Sequence, residues 1–170
     1  MLLDVGLLIL RLVLGLLFVG HGAQKLFGWF GGGGLAKTEG WLGSMGMRPA
    51  RFWAWMAALS EFGGGLMLAL GLLSPLGSLG IIAAMVVAIA KAHLPKGLWN
   101  SNGGYEFPLL NLTAALALGL AEPGAYSLDG VLGISLPEPT VLVGGLGMVL
   151  LGVIASELTR NSKPAHAAKA

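Results

Sequence analysis

Two ionisable residues stand where an apolar chain should not tolerate them. Arg11 lies inside the run LRLVLGLLFVGHGAQKLFG, residues 10–28, and Glu61 lies inside SEFGGGLMLALGL, residues 60–72. A cation at the centre of a membrane helix costs at least about 2.5–3.5 kcal/mol, so it must face protein or water and usually has a partner. An acid and a base placed this way have two kinds of chemistry open to them. They can neutralise each other and fix helix register, or a group of this kind can hold and release a proton when burial and neighbours tune it. His21 and Glu61 are the two residues suited to the second role. Asn111 adds an amide at a similar depth. A contact with a partner subunit is a third reading of the same residues.

Helical spacing brings these groups toward one interior. Ala54, Ala58, Glu61 and Gly65 share a small-residue face, as do Asn111, Ala115 and Gly119. At about 1.5 Å rise per residue, Glu61 is about 13 Å from one end of its span. By the same measure His21 lies about 9 Å, Arg11 about 24 Å and Asn111 about 8 Å from that end of theirs. The expectation is a buried cluster of Arg11, His21, Glu61 and Asn111, with Arg11 reaching to Glu61. Its mouth would be formed by Gln24, Lys25, His93, Tyr105 and Glu106. A pair of histidines also invites a haem reading. The depths of His21 and His93 differ by about 8 Å, which disfavours shared iron ligation, and no metal site is expected.

The elements that must position these residues are membrane helices. Of 170 residues, 55% are hydrophobic and 11% charged, and the mean hydropathy is +0.81. A soluble domain carries about a quarter charged residues, so the chain reads as an integral membrane protein and a single bundle. Five spans are expected, at about 2–27, 49–73, 75–94, 106–121 and 140–158, followed by a disordered basic tail at 159–170. Asp4 stands where a signal peptide would be basic, and no A-x-A site follows, so the first span is expected to be retained. Glycines 31–34 break the first span, and the segment to Arg48 is expected to carry short or irregular structure. Pro49 suits the first turn of span two, and Ser74-Pro75 reads as an N-cap with a helix-starting proline. Gly80, Ala84, Ala88 and Ala92 form a small-residue stripe along span three that would admit a neighbouring helix.

Charge sets orientation. Five spans put Lys25, Lys37, Arg48, Arg51, Lys91, Lys96, Arg160, Lys163 and Lys169 on one side and no Lys or Arg on the other. By the positive-inside rule the basic side is cytoplasmic, with the N-terminus outside and the C-terminus inside. The formal charge of +2 gives no nucleic-acid surface, and the absence of cysteine excludes thiolate, disulfide and iron–sulfur chemistry on these residues. No P-loop, GxSxG, HExxH or dinucleotide-binding pattern is present.

Four ordered blocks, RLVLGLLFVGHGAQKLFGWFGG, SEFGGGLMLALGLLSPLG, AHLPKGLWNSNGGYEFPLLNL and EPGAYSLDG, span about residues 1–130. Together they closely resemble the DoxX family of small bacterial membrane proteins. The resemblance implies an all-α, four-helix membrane core, here with a fifth C-terminal transmembrane helix added. It places Arg11, His21, Gln24, Lys25, Glu61, His93 and Glu106 at motif positions. The family is related to the small subunit of thiosulfate:quinone oxidoreductase. That implies an accessory subunit of a quinone-linked oxidoreductase in the bacterial cytoplasmic (inner) membrane, with quinone as ligand and other redox subunits as partners. Two other classes remain open: a small-solute or proton-coupled transporter using the Glu61 cavity, and a scaffold for other membrane proteins in which the polar pair is architectural.

Overall fold

The computed structural model describes residues 1–159, and every regular element among them is helical. In order these are α1 (Leu2–Leu26), α2 (Gly34–Ser44), α3 (Ala50–Leu70), α4 (Ser74–Ala88), α5 (Glu106–Leu120), α6 (Leu128–Leu132) and α7 (Glu138–Leu158). Four stretches are long and apolar enough to cross a membrane: Leu2–Leu26, Ala50–Leu70, Ser74–Lys96 and Glu138–Leu158. The chain is an integral membrane protein built as a helical bundle. The expected basic tail, apart from Thr159, lies outside the described residues.

The helices pack through glycines. A membrane supplies no hydrophobic drive between helices, so close backbone approach and dispersion must hold them. A Cβ on Gly15 would lie 2.6 Å from both Ala69 N and Gly65 O, and one on Gly22 only 2.4 Å from Phe62 N. These contacts lock α1 antiparallel to α3. On the next face, a Cβ on Gly64 would meet Gly77 O at 2.9 Å, and one on Gly80 would meet Ser60 O at 2.7 Å. So Gly80 of the small-residue stripe does admit α3. Ala84 and Ala88, further along, leave open space instead and line a cavity. Larger side chains fill the core between: Phe18, Leu68, Ile81, Ile82, Ala115 and Leu142 are buried.

The long helices alternate in direction between two ends of the bundle. One end holds Asp4, Gly71, Pro123 and Asp129, joined by hydrogen bonds from Ala125 N to Asp4 (3.1 Å) and from Asp129 N to Gly71 O (2.9 Å). The other end gathers α2, the chain from Lys91 to Tyr105 and the C-terminal part of α7. α5 runs between the two ends in 15 residues, about 22 Å. That is shorter than a hydrocarbon core of about 30 Å. The chain ahead of it is compact: Tyr105 N donates to Gly97 O (3.1 Å) and Glu106 N to Leu98 O (2.8 Å).

Local structure departs from expectation at Pro49 and Ser74, and the segment expected to hold short or irregular structure holds a short helix. The glycine-rich segment after α1 contains an 11-residue helix, α2, whose Thr38 and Leu42 are buried one turn apart. Leu42 packs with Met47 and Ala54, so α2 docks on α3. Pro49 is the residue before α3 and not its first turn. Ser74 is not a self-sufficient cap. Leu73, at φ 47°, precedes α4, and the free donors there are met by Asp129 from 55 residues away. Its Oδ1 accepts from Leu73 N (2.8 Å), and its Oδ2 accepts from Ser74 N and Ser74 Oγ (3.0 Å each).

Candidate functional site

Arg11 and Glu61 do not meet. The antiparallel register sets Gly15 against Gly65 and Ala69, which brings Arg11 level with Gly71. Gly71 is ten residues beyond Glu61, about 15 Å along the helix axis, more than an arginine side chain spans. Arg11 is 2% exposed. It donates instead through Nη1 to Pro123 O and through Nη2 to Tyr126 O (2.6 Å). Gly71 ends α3 in the left-handed conformation, φ 63°, and a Cβ there would lie 2.2 Å from Arg11 Nη1. Glycine meets both demands. Arg11, Gly71 and Asp129 thus make a polar knot that ties the α3–α4 turn and the α5–α6 loop to α1 at one end of the bundle.

Glu61 pairs with Lys25 across the α1–α3 contact. Their side chains are 8% and 23% exposed, so the pair is only partly in water. It opens onto a cavity of about 460 Å³ at the basic end of the bundle. The cavity lies within the roughly 300–1,000 Å³ typical of small-molecule sites. Its walls are mostly apolar. Met45, Met47, Met56, Met85 and Met148 contribute flexible, polarisable thioethers. Phe18, Trp41, Trp53 and Phe107 add aromatic surface, and Met148, Val149, Gly152 and Val153 of α7 close one side.

The polar groups facing this space are few: His21, Lys25, Ser60, Glu61, Lys91, His93 and Asn111. Three of the four cluster residues read from the sequence, His21, Glu61 and Asn111, therefore share one cavity. His21 packs its ring 5.9 Å from that of Phe18. His93 lies in a π-helical turn, Ile89–His93, that continues α4. Such turns often re-aim side chains at functional sites, and this one presents both Lys91 and His93. His93 Nδ1 is 2.7 Å from Gly103 O. A carbonyl only accepts, so Nδ1 carries the proton and Nε2 of the neutral ring is an acceptor. Lys91 is tied to Glu157 of α7. Asn111 is 5% exposed, and its Nδ2 is buried with no partner among the described residues.

Of the expected mouth, Lys25 and His93 line the cavity and Gln24, Tyr105 and Glu106 do not. Gln24 Nε2 donates to Phe30 O (3.2 Å) and holds the glycine loop. Glu106 accepts from Asn100 N (2.9 Å) and pins the loop before α5. Tyr105 is the residue before that helix. Among the described residues no group of His, Cys, Asp or Glu is arranged to hold a metal ion.

A DoxX family model matches residues 6–94, just over half of the chain. The chain belongs to the DoxX family. No curated protein matches it, and no solved structure does. In this DoxX chain the matched range holds Arg11, His21, Lys25, Glu61, Lys91 and His93. Asn111 and the α7 wall lie beyond it, so the cavity joins family residues to a part of the chain that the family model does not cover.

Three roles in this DoxX chain were not read from the sequence, two at the cavity and one at the opposite end of the bundle. Lys25 was read as a mouth residue, yet it is the partner of Glu61; it follows Gly22 by three residues on the face that meets α3. Lys91 was read as a topology signal only. Asp129 was not singled out, although it sits in the block EPGAYSLDG, where Ser127 accepts from Gly130 N (3.0 Å) and starts α6.

Proposed function

We propose that this DoxX chain is an accessory membrane subunit of an oxidoreductase and that its cavity takes a quinone-class molecule. The observation that carries the reading is the Lys25–Glu61 pair opening onto an otherwise apolar, methionine-rich cavity. A quinone is an apolar ring carrying carbonyl oxygens, and it needs apolar walls with a few donors and proton-handling groups at one end. Lys25 and Asn111 supply donors, and Glu61, His21 and His93 supply groups that exchange protons. Reduction of a quinone to a quinol takes two electrons and two protons. These 170 residues contain no cysteine, so no thiol or thiolate-held cluster of this chain carries the electrons; on this reading a partner subunit supplies them, and this chain orients the ring and exchanges protons with it.

The same reading gives the chain five membrane crossings in the bacterial cytoplasmic membrane, N-terminus outside. Lys25, Lys37, Arg48, Arg51, Lys91 and Lys96 fall on helix ends and connections at the cavity end of the bundle, which supports a cytoplasmic mouth. The short α5 counts as a crossing because it runs the full distance between the two ends.

The test is purification in mild detergent, with mass spectrometry of co-purifying proteins and of the extracted lipid. A stoichiometric oxidoreductase partner together with quinone supports the reading. Solute uptake by the chain alone in proteoliposomes, with no quinone retained, would replace it with a transporter. Loss of another membrane protein on deletion, with neither quinone nor uptake, would leave a scaffold.

A further inference from the structure

Nearly every other buried polar group in the described residues has a use. Thr38 and Ser156 donate to backbone carbonyls, Ser74 and Asp129 bind each other, Ser127 caps α6, and Glu61 pairs with Lys25. Three buried side-chain atoms have no partner among the described residues: Arg11 Nε, Ser78 Oγ and Asn111 Nδ2. Arg11 is held by its other two nitrogens, and Ser78 is packed where a Cβ on Gly119 would lie 3.2 Å from its hydroxyl. Only Asn111 of the three lines the cavity.

An amide in that position is chemically expensive. Asparagine is a poor helix former, and a buried polar atom left unpaired forfeits its hydration without return. Its helix neighbours on the same face, Ala115 and Gly119, are buried and apolar, so nothing along that face of α5 satisfies the amide. A carboxamide can switch roles without moving a proton. A half-turn about its last bond exchanges a donor NH2 for an acceptor oxygen at the same place. It is held in neither setting, because no described residue bonds it.

We infer that Asn111 is the residue that recognises the head-group oxygen of the cavity ligand, and that it serves both redox forms. It presents Nδ2 to the carbonyl oxygen of a quinone and Oδ1 to the hydroxyl of the quinol. This rests on the quinone reading above and names the contact within it. It also sets the ligand class: the molecule carries an oxygen that changes between acceptor and donor, on an otherwise apolar body that the methionine walls accommodate.

The experiment uses the full chain in lipid nanodiscs and labelled decylquinone, displaced by unlabelled decylquinone, decylquinol or decylbenzene. The wild-type chain should bind quinone and quinol with comparable affinity and decylbenzene more weakly. Asn111→Leu should weaken quinone and quinol alike by about tenfold, the worth of one lost hydrogen bond with its partner left unpaired, and leave decylbenzene unchanged. Its unfolding temperature should stay equal or rise, since no native partner is lost. Unchanged quinone affinity in Asn111→Leu would overturn the inference while leaving the quinone site standing. A large drop in unfolding temperature would also overturn it, by showing that the amide has a structural partner. No saturable quinone binding to the wild-type chain would sink the functional reading itself.

Discussion

Lys25 on α1 and Glu61 on α3 are ion-paired at the rim of the cavity, with the carboxylate the more buried of the two. Removing the lysine alone therefore strands an acid in an apolar wall. Breaking a buried pair costs about 3–5 kcal/mol, whereas removing both partners is far milder. Lys25→Met should lower stability toward the small end of that range, because Lys25 is a quarter exposed. The double variant Lys25→Met, Glu61→Gln should recover most of the loss. Thermal unfolding of the detergent-solubilised protein measures it. Additive losses would show that the pair contributes nothing as a pair.

Arg11 and Glu61 belong to separate networks about 15 Å apart along the bundle. Distant sites add within about 0.3–0.5 kcal/mol. A double-mutant cycle on Arg11→Met and Glu61→Gln should show no coupling beyond that range. Arg11→Met should leave Pro123 O and Tyr126 O without their donor, and hydrogen exchange should rise in residues 121–129 but not around the cavity. A coupling of several kcal/mol would mean that the two charges meet after all.

Asp129 holds the start of α4 through two backbone amides and one hydroxyl. Loss of an N-cap costs about 0.5–2 kcal/mol. Asp129→Ala should fall at the upper end, since Leu73 in its left-handed conformation loses the contact that holds it there. Asp129→Asn should lose less. The measurement is stability together with exchange at the amides of Leu73 and Ser74; unchanged exchange in the alanine variant would refute the cap.

Two glycines two residues apart on α1 should answer oppositely. A Cβ on Gly22 would lie 2.4 Å from Phe62 N, whereas nothing lies within 4 Å of one on Gly20. Gly20→Ala should be neutral or stabilise by about 0.5–1 kcal/mol, as helix propensity dictates. Gly22→Ala should push α1 from α3 and reduce the folded yield. Equal behaviour of the two variants would contradict the helix register from which the placement of Arg11 follows.

The long helices were legible because their signal is simple: apolar length set against polar breaks, with glycine and proline at the ends. The polar pairing was not. Arg11 and Glu61 looked like partners because depth was reckoned from loosely placed span ends, and a shift of a few residues moves a side chain by a turn. The register is fixed by where Gly15, Gly22 and Gly65 let backbones touch, and a single sequence does not say which glycine meets which. α2 was hidden by glycine density, although Thr38 and Leu42 carry the helical spacing. Asp129 capping α4 is a contact over 55 residues, with no local trace beyond its own short helix. Asn111 was legible as a residue to watch, but its lack of a partner exists only in three dimensions.

The cavity bounded by Lys25, Glu61, His93 and Asn111 is the proposed ligand site. Photolabelling with an azidoquinone, followed by peptide mapping, tests it most directly. Saturable labelling, displaced by excess decylquinone, is expected in the cavity segments around Met45–Met56, Met85–His93 and Met148–Val153. Labelling spread over the exposed apolar face of α1, at Ile9, Val13 and Leu16, and not displaced by excess quinone, would contradict it.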